Sequence, residues 1–275
     1  MNRNLNVKPL IRVLLIVSLP LWACSQPFIE IDATAISPQD LSGKDFSYTD
    51  FANADLSGKN FQNTNFTSAN LVLANLRDAD LRYAILDSTR LTEADLTGAN
   101  LSGATLDFPL ILNANFTNAD LREAQLKRVC FGDATWTDAK LDRKWQEIMD
   151  LAIRGIQPGQ DLSNYDMSYA CFKNYDFRMA NLHGVNFMEA ILRNSNFDQT
   201  TLSDSNLQNA SLMNASLRNA DMTGANLDGT DLTYAVLTGA RVTEEQLQRT
   251  KRSCTRMPDG TIFAENECSG TTPSP

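Results

Sequence analysis

The feature of this sequence that most constrains its fold is an apolar residue at every fifth position. The first run extends from Leu41 to Leu141 without a slip, and a second run extends from Leu162 to Val242. An α-helix repeats about every 3.6 residues and a plain strand about every two. Since neither element explains a period of five, we expect a structural unit that returns to the same orientation after five residues.

The positions around each apolar centre follow a pattern of their own. Two residues before the centre lies a small residue, usually Ala, and one residue before it often lies Asp or Asn, as in Ala94-Asp95-Leu96. The other two positions are mostly Ser, Thr, Gly, Arg or Glu. Most of the sequence thus consists of copies of one five-residue unit, and repeats of this kind indicate a solenoid in which neighbouring units bury a continuous core.

This pattern, A(D/N)LXX, resembles the signature of the pentapeptide-repeat family. The segments ANLVLANLRDADLRYA and ASLMNASLRNADMTGANLDGTDLTYA are close to its consensus, and the resemblance covers residues 41–141 and 162–242. It implies an all-β solenoid, a right-handed quadrilateral β-helix with four pentapeptides per coil. In that fold the centre and the small residue point inward, the other three residues point outward, and coils stack about 4.8 Å apart.

An amphipathic segment separates the two arrays at residues 142–161. Trp145, Ile148, Met149 and Ala152 recur at helical spacing, which predicts an α-helix. Asp142 is a candidate N-cap and Gly155 a candidate C-terminal stop. We interpret this helix as a cover for one side of the solenoid; a helix that binds a partner is the alternative.

The chain ends in a predicted cap at residues 243–275. Thr243 and Gln246 form a capping-box pattern that opens a short helix. A turn at Pro258-Asp259-Gly260 and a strand at 261–263 follow. Cys254 and Cys268 flank this turn, and we predict that they form a disulfide, which would stabilise the cap by about 3 kcal/mol in the chain-entropy model.

The N-terminal residues are predicted to form an export signal. Residues 1–23 have a basic start and a short apolar run, and Leu21 to Cys24 resembles the bacterial lipobox. The resemblance implies cleavage before Cys24 and lipid attached to that residue, with residues 24–40 as a tether; ordinary cleavage after Ser25 is the alternative. The protein is therefore expected outside the cytoplasm, in a periplasm or a thylakoid lumen, anchored to a membrane by its lipid.

Two other cysteines, Cys130 and Cys171, occupy the same position of their repeats. An oxidising compartment favours pairing of the four cysteines that remain after lipidation of Cys24. These two can bridge only if the chain returns from the helical segment to the same face one coil along. The sequence does not fix that geometry, so this pair is left open.

Departures from the repeat mark special regions. Lys44, Lys59, Tyr165 and Tyr175 occupy positions of the small residue and are expected to turn outward. Pro109 also occupies such a position, and its neighbours Phe108, Leu110 and Leu112 fall in outward positions. An apolar cluster on a polar solenoid predicts a contact patch. The alternatives are a local bulge that tucks the three side chains inside and packing beneath the inserted helix.

The residues predict neither catalysis nor a bound cofactor or metal. His183 is the only histidine, and neither zinc-ligand spacing nor a phosphate-binding loop is present. The formal net charge of -9 disfavours binding to nucleic acid. We therefore predict a non-enzymatic scaffold that is anchored in a membrane through its lipid and binds a protein partner not yet identified. An acidic DNA mimic that binds a topoisomerase, as the family resemblance allows, is the alternative.

Overall fold

The computed structural model describes residues 12–13, 31–32 and 40–264. Cys24, Cys268 and most of the predicted leader and tether lie outside the described residues. No helix in the part described is long and apolar enough to cross a membrane. Within residues 40–264 the chain forms two compact units: unit 1 includes residues 40–126 and 133–142, and unit 2 includes residues 127–132 and 143–264.

Each pentapeptide folds into one β-bridge residue followed by one tight turn. In the unit centred on Phe51, the Ala54 N–H donates to the Phe51 carbonyl at 3.0 Å. Asn53, two positions after the centre, has φ 61°. A positive φ at the third residue identifies a type II turn and favours Gly and Asn. Asn, Gly, Asp and Ser recur at this position because each turn needs the left-handed conformation there.

The turns stack in parallel with a period of 20 residues. Asp45 bridges Asn65, and Asn65 bridges Ile85. Four pentapeptides therefore complete one coil, which confirms the predicted four-sided β-helix. In unit 1 we name the four faces after the first-coil residue that begins each one: Asp40 (first face), Asp45 (second), Asp50 (third) and Asp55 (fourth).

The apolar centres form the core. All of them are buried except Leu141 and Val242, the last of each array, which are half-buried. Aromatic centres stack between coils, as in Phe177 on Phe197 with ring centroids 4.6 Å apart. Most polar residues at the small-residue position are satisfied internally: the Thr64 hydroxyl donates to the carbonyl of a centre in the preceding coil at 3.0 Å, which reduces the penalty of burying it. Ser205 is an exception, because its buried hydroxyl has no hydrogen-bond partner within residues 40–264.

The long side chains at small-residue positions avoid the narrow interior. Lys44 and Tyr165 are exposed, while Lys59 and Tyr175 are half-buried. The Tyr175 hydroxyl donates to the Ala152 carbonyl at 2.6 Å. The expected outward turn is therefore clear for Lys44 and Tyr165, and Tyr175 instead tips toward the inserted helix.

The entrance of unit 2 is covered by helix α1 (Arg143–Arg154). Its Trp145, Ile148, Met149 and Ala152 are buried, as the amphipathic pattern predicts. Gly155, with φ 75°, ends the helix and donates its N–H to the Leu151 carbonyl.

The predicted N-cap of α1 acts elsewhere. The Asp142 carboxylate belongs to unit 1 and accepts the Glu123 N–H at 3.0 Å. The apolar pattern predicts the helix correctly, but the expected cap residue binds a backbone N–H of unit 1 instead.

Residues 127–132 complete the cover of unit 2. The Arg128 N–H donates to the Tyr169 carbonyl at 2.6 Å, and a disulfide joins Cys130 to Cys171 with their Cα atoms 4.8 Å apart. Phe131 opens a short 3-10 helix (Phe131–Asp133). Cys130 and Cys171, whose pairing the sequence left open, are therefore bridged, and the segment 127–132 contacts the first coil of unit 2 through this disulfide and the Arg128 hydrogen bond.

The remaining strands are short. Strand β1 (Arg12–Val13) pairs antiparallel with β2 (Ile31–Asp32), and β3 (Thr105–Asp107) forms a two-stranded sheet with β4 (Gln125–Lys127). In the cap, β5 (Thr255–Arg256) pairs antiparallel with β6 (Ile262–Phe263).

The solenoid register continues into the C-terminal cap. Helix α2 (Glu244–Leu247) begins with the predicted capping box of Thr243 and Gln246. After it, the Leu232 N–H donates to the Lys251 carbonyl and the Leu237 N–H to the Arg256 carbonyl, as in the coils before. Cys254 is disulfide-bonded; because Cys268 lies outside the described residues, their pairing stays a prediction.

Candidate interaction surface

The predicted contact patch is accessible to solvent. Phe108, Leu110 and Leu112 expose 51, 50 and 53 % of their surface, while Pro109 between them is buried. Phe108 has φ 56°, so a bulky side chain occupies the left-handed corner of the turn. Neither a buried bulge nor packing beneath α1 describes this segment, because all three side chains face outward.

Leu110 and Leu112 lie at one end of the third face of unit 1, and Phe108 lies at the adjoining corner. This face consists of three columns that run along the stack. Backbone bridges define the first column, and the second and third columns contain the residues two and three positions further along each coil. The N–H of a third-column residue donates to the second-column carbonyl of the next coil, as Asn53 does to Val72. In order, the columns are Asp50, Asn70, Arg90 and Leu110; Ala52, Val72, Thr92 and Leu112; and Asn53, Leu73, Glu93 and Asn113.

The central column is apolar apart from one threonine. Ala52, Val72 and Thr92 are half-buried and Leu112 is exposed, so their side chains form a ridge along the face. Leu73 adds a further side chain that is about half exposed. The third face is therefore a straight wall of parallel backbone with apolar side chains along its middle.

The carboxylates of the solenoid have structural partners. The Asp40 carboxylate accepts the Ser42 backbone N–H and the Asn60 side-chain amide, each at 3.0 Å. The N–H of Ser42 lowers the pKa of Asp40 because it stabilises the charged form. In the same way, Arg82 holds the pKa of Asp80 below its ordinary value through a paired hydrogen bond. These acidic residues orient turns, and none of these contacts points to acid–base chemistry.

His183 has a hydroxyl and a carboxylate as neighbours. The Ser203 hydroxyl lies 3.0 Å from its Nδ1, and the Asp204 carboxylate lies 3.8 Å from the same nitrogen. A catalytic relay needs the nucleophile on one ring nitrogen and the carboxylate on the other. All three side chains are also exposed or half-buried. The cluster follows from coil stacking, which brings residues 20 and 21 positions apart together.

Two open grooves lie in unit 2. One, of about 570 Å³, runs beside α1 and includes Glu147, Asp150, Arg154 and Tyr165. The other, of about 370 Å³, lies at the C-terminal cap and includes Arg252 and Phe263. Neither groove is lined by His or Cys, and no group of metal-ligating side chains occurs within the described ranges.

Comparison with known proteins identifies the repeat. A family model described as pentapeptide repeats matches in eight copies, over residues 45–82, 74–107, 111–135, 170–209, 180–219 and 210–244. No curated protein sequence matches the chain.

Several solved structures share the repeat at low structural overlap. HetL, involved in heterocyst differentiation regulation in Nostoc sp. strain PCC 7120, is 26 % identical, with 84 % of this chain and 96 % of that chain covered and a TM-score of 0.29. QnrB1, a plasmid-mediated fluoroquinolone resistance protein, is 16 % identical over 74 % and 84 % (TM-score 0.23). A pentapeptide repeat protein from the thylakoid lumen of Arabidopsis thaliana is 20 % identical over 77 % and 74 % (TM-score 0.17).

Proposed function

Because the chain belongs to the pentapeptide-repeat family, we propose that it is a non-enzymatic scaffold, anchored to a membrane outside the cytoplasm, whose solenoid faces bind protein. The observation that carries this proposal is the exposed patch of Phe108, Leu110 and Leu112 at the edge of the third face. Contiguous exposed apolar side chains on an otherwise polar surface mark interaction sites.

The rigidity of the third face favours recognition. The inner residues of its first column are held by the coils before and after them, as Arg90 is through its bridges to Asn70 and Leu110. A surface that is ordered before binding loses little conformational entropy on association. Such a face presents its side chains at fixed spacing, which is sufficient to recognise a partner and requires no catalytic group.

The cysteines support a location outside the cytoplasm. The Cys130–Cys171 disulfide suits an oxidising compartment. The lipobox-like segment before Cys24 supplies the anchor, and a diacyl group together with an N-acyl group gives stable membrane attachment.

Membrane fractionation tests the anchor. Wild-type protein is expected in the membrane fraction, and the Cys24→Ser variant in the soluble extracytoplasmic fraction. Wild-type protein that is fully soluble would overturn the lipid anchor.

Capture from membranes tests the patch. Wild-type protein is cross-linked in membranes and the captured proteins are compared with those of Leu110→Ser/Leu112→Ser. A matched control is Thr97→Ser/Thr117→Ser, which changes outward side chains of the fourth face. Loss of captured protein in the patch variant alone supports the proposal; equal capture by all three proteins refutes it.

The acidic DNA mimic is the second candidate, and the net charge of -9 favours it. A topoisomerase partner requires a cytoplasmic location, which the export signal and the disulfide disfavour. Recovery of the wild-type protein in the cytoplasm, together with inhibition of DNA supercoiling by purified protein, would replace the scaffold proposal with this one.

A further inference from the structure

We infer that the third face of unit 1 binds the third face of a second copy of this chain, with the two solenoids parallel. The inference rests on the proposed role of this face as a contact surface and names its partner. It comes from the distribution of charge and apolar side chains over the three columns of the face.

One coil of the face carries opposite charges on its two sides. Arg90 lies in the first column and Glu93 in the third, with Thr92 of the central column between them. Both charged side chains are exposed, and within residues 40–264 neither has an ion-pair partner. The only other charged residue among the three columns is Asp50, in the first coil. The face is thus apolar along its middle with one unpaired cation and one unpaired anion at its edges.

This arrangement complements itself under one particular symmetry. A two-fold axis that lies in the interface and runs along the stack exchanges the first and third columns at the same level. Arg90 of each copy then lies opposite Glu93 of the other, and two ion pairs form. The central columns meet on the axis, so that Ala52, Val72 and Leu112 each face their own counterpart, as an isologous interface requires.

The antiparallel alternative is disfavoured by the same two charges. A two-fold axis across the stack at the level of Thr92 keeps each column opposite itself, so that Arg90 faces Arg90 and Glu93 faces Glu93. Like charges directly opposite each other destabilise a pairing. The parallel arrangement also places both N-termini at the same end, which two copies anchored through Cys24 in one membrane require.

The remaining pairs across a parallel interface contain no like charges. The Asp50 carboxylate lies opposite the neutral Asn53, Leu110 lies opposite Asn113, and Leu73 lies opposite Asn70. Apolar contact therefore comes mainly from the central column. Four coils about 4.8 Å apart give a contact strip of only about 15–20 Å in length. An interface this small belongs to the class of weak associations. Confinement to one membrane raises the effective concentration of the two copies and compensates for weak affinity.

Cysteine cross-linking in membranes tests the geometry. Ala52→Cys places a thiol on the predicted two-fold axis, whereas the antiparallel arrangement centred on Thr92 keeps the two thiols about four coil spacings apart. Ser57→Cys is the matched control, because it occupies the same position of the next pentapeptide on the fourth face. After mild oxidation with copper phenanthroline, we expect a disulfide-linked dimer from Ala52→Cys at several times the yield from Ser57→Cys. Equal yields would overturn the inference.

Charge exchange tests the specificity in the Ala52→Cys background. Arg90→Glu and Glu93→Arg are each expected to lower the dimer yield several-fold, and the double variant is expected to restore it. Failure of the double variant to recover would refute the predicted pairing. If no homodimer forms while Leu110→Ser/Leu112→Ser still abolishes capture of another protein, the parallel dimer is wrong and the proposed scaffold role stands.

Discussion

Replacement of one core leucine tests which positions of the repeat point into the core. Leu207 is a fully buried centre in unit 2, and its carbonyl accepts the Thr230 hydroxyl at 2.8 Å. Leu207→Ala removes three carbon atoms from a narrow interior that cannot collapse, because hydrogen bonds fix the walls. Such truncations destabilise by about 2–5 kcal/mol, which corresponds to a fall in melting temperature of roughly 4–20 °C for a chain of this size.

Thermal unfolding followed by circular dichroism measures this effect. The matched control is Gln208→Ala, since Gln208 is the next residue, points outward and is half-buried. Surface changes of this kind usually alter stability by no more than about 0.5 kcal/mol. Each coil contacts only its neighbours, so hydrogen exchange should accelerate most in the coils centred on Phe187 and Leu227. Equal losses from both variants, or exchange that accelerates evenly along the chain, would refute the assigned inward face.

Two further predictions concern acid sensitivity and the cysteines. Backbone N–H donors lower the pKa of Asp40 and Asp45 below 3.8, so the stability that the two carboxylates contribute is present above that pH and is lost as the pH falls through their folded-state pKa values. A variant with Asn at both positions keeps the acceptor oxygen, and its melting temperature should therefore fall less between pH 6 and pH 3 than that of the wild type. An equal fall in the melting temperature of both proteins would contradict the reasoning. Peptide mapping without reduction of protein from its native compartment should recover Cys130 linked to Cys171 and Cys254 linked to Cys268, and free thiols at Cys254 would exclude the second bridge.

The period of five predicts a repeating unit with one inward centre and a small residue beside it. The four units per coil are implied by the resemblance to the pentapeptide-repeat family and not by the period itself, and the bridges between residues 20 positions apart confirm them. The turn conformation could also be predicted from the sequence, since Gly and Asn recur two positions after the centre, as at Asn53 and Gly98. Gly and Asn at this position would have been enough to predict the left-handed residue of the turn.

The same period extends further than the consensus residues suggest. Leu247 follows Val242 by five residues and is buried, and Met257 falls ten residues further on. Between them, Arg252 occupies the position of a centre, with its guanidinium 4.3 Å from the ring of Phe263 and 2.8 Å from the Glu244 carboxylate. Because an arginine occupies a position where the pattern requires an apolar residue, the apolar periodicity of the sequence ends at Val242, while the pairing of the backbone continues to Arg256.

The disulfide of unit 2 could not be predicted from the number of residues between its cysteines. Cys130 and Cys171 are 41 residues apart, about two coils of sequence, and two coils would separate their Cα atoms by about 9.6 Å. That distance exceeds the reach of a disulfide, about 7 Å. The observed 4.8 Å equals one coil spacing, so the segment that contains α1 uses a coil's length of sequence without placing a further coil between the two cysteines. The helix can be predicted from its apolar side, but the path by which the chain returns depends on the packing of Trp145 and Phe131, whose rings lie 6.1 Å apart. A five-residue pattern contains no information about that contact, since Phe131 is one of its centres but Trp145 lies in the segment that interrupts it.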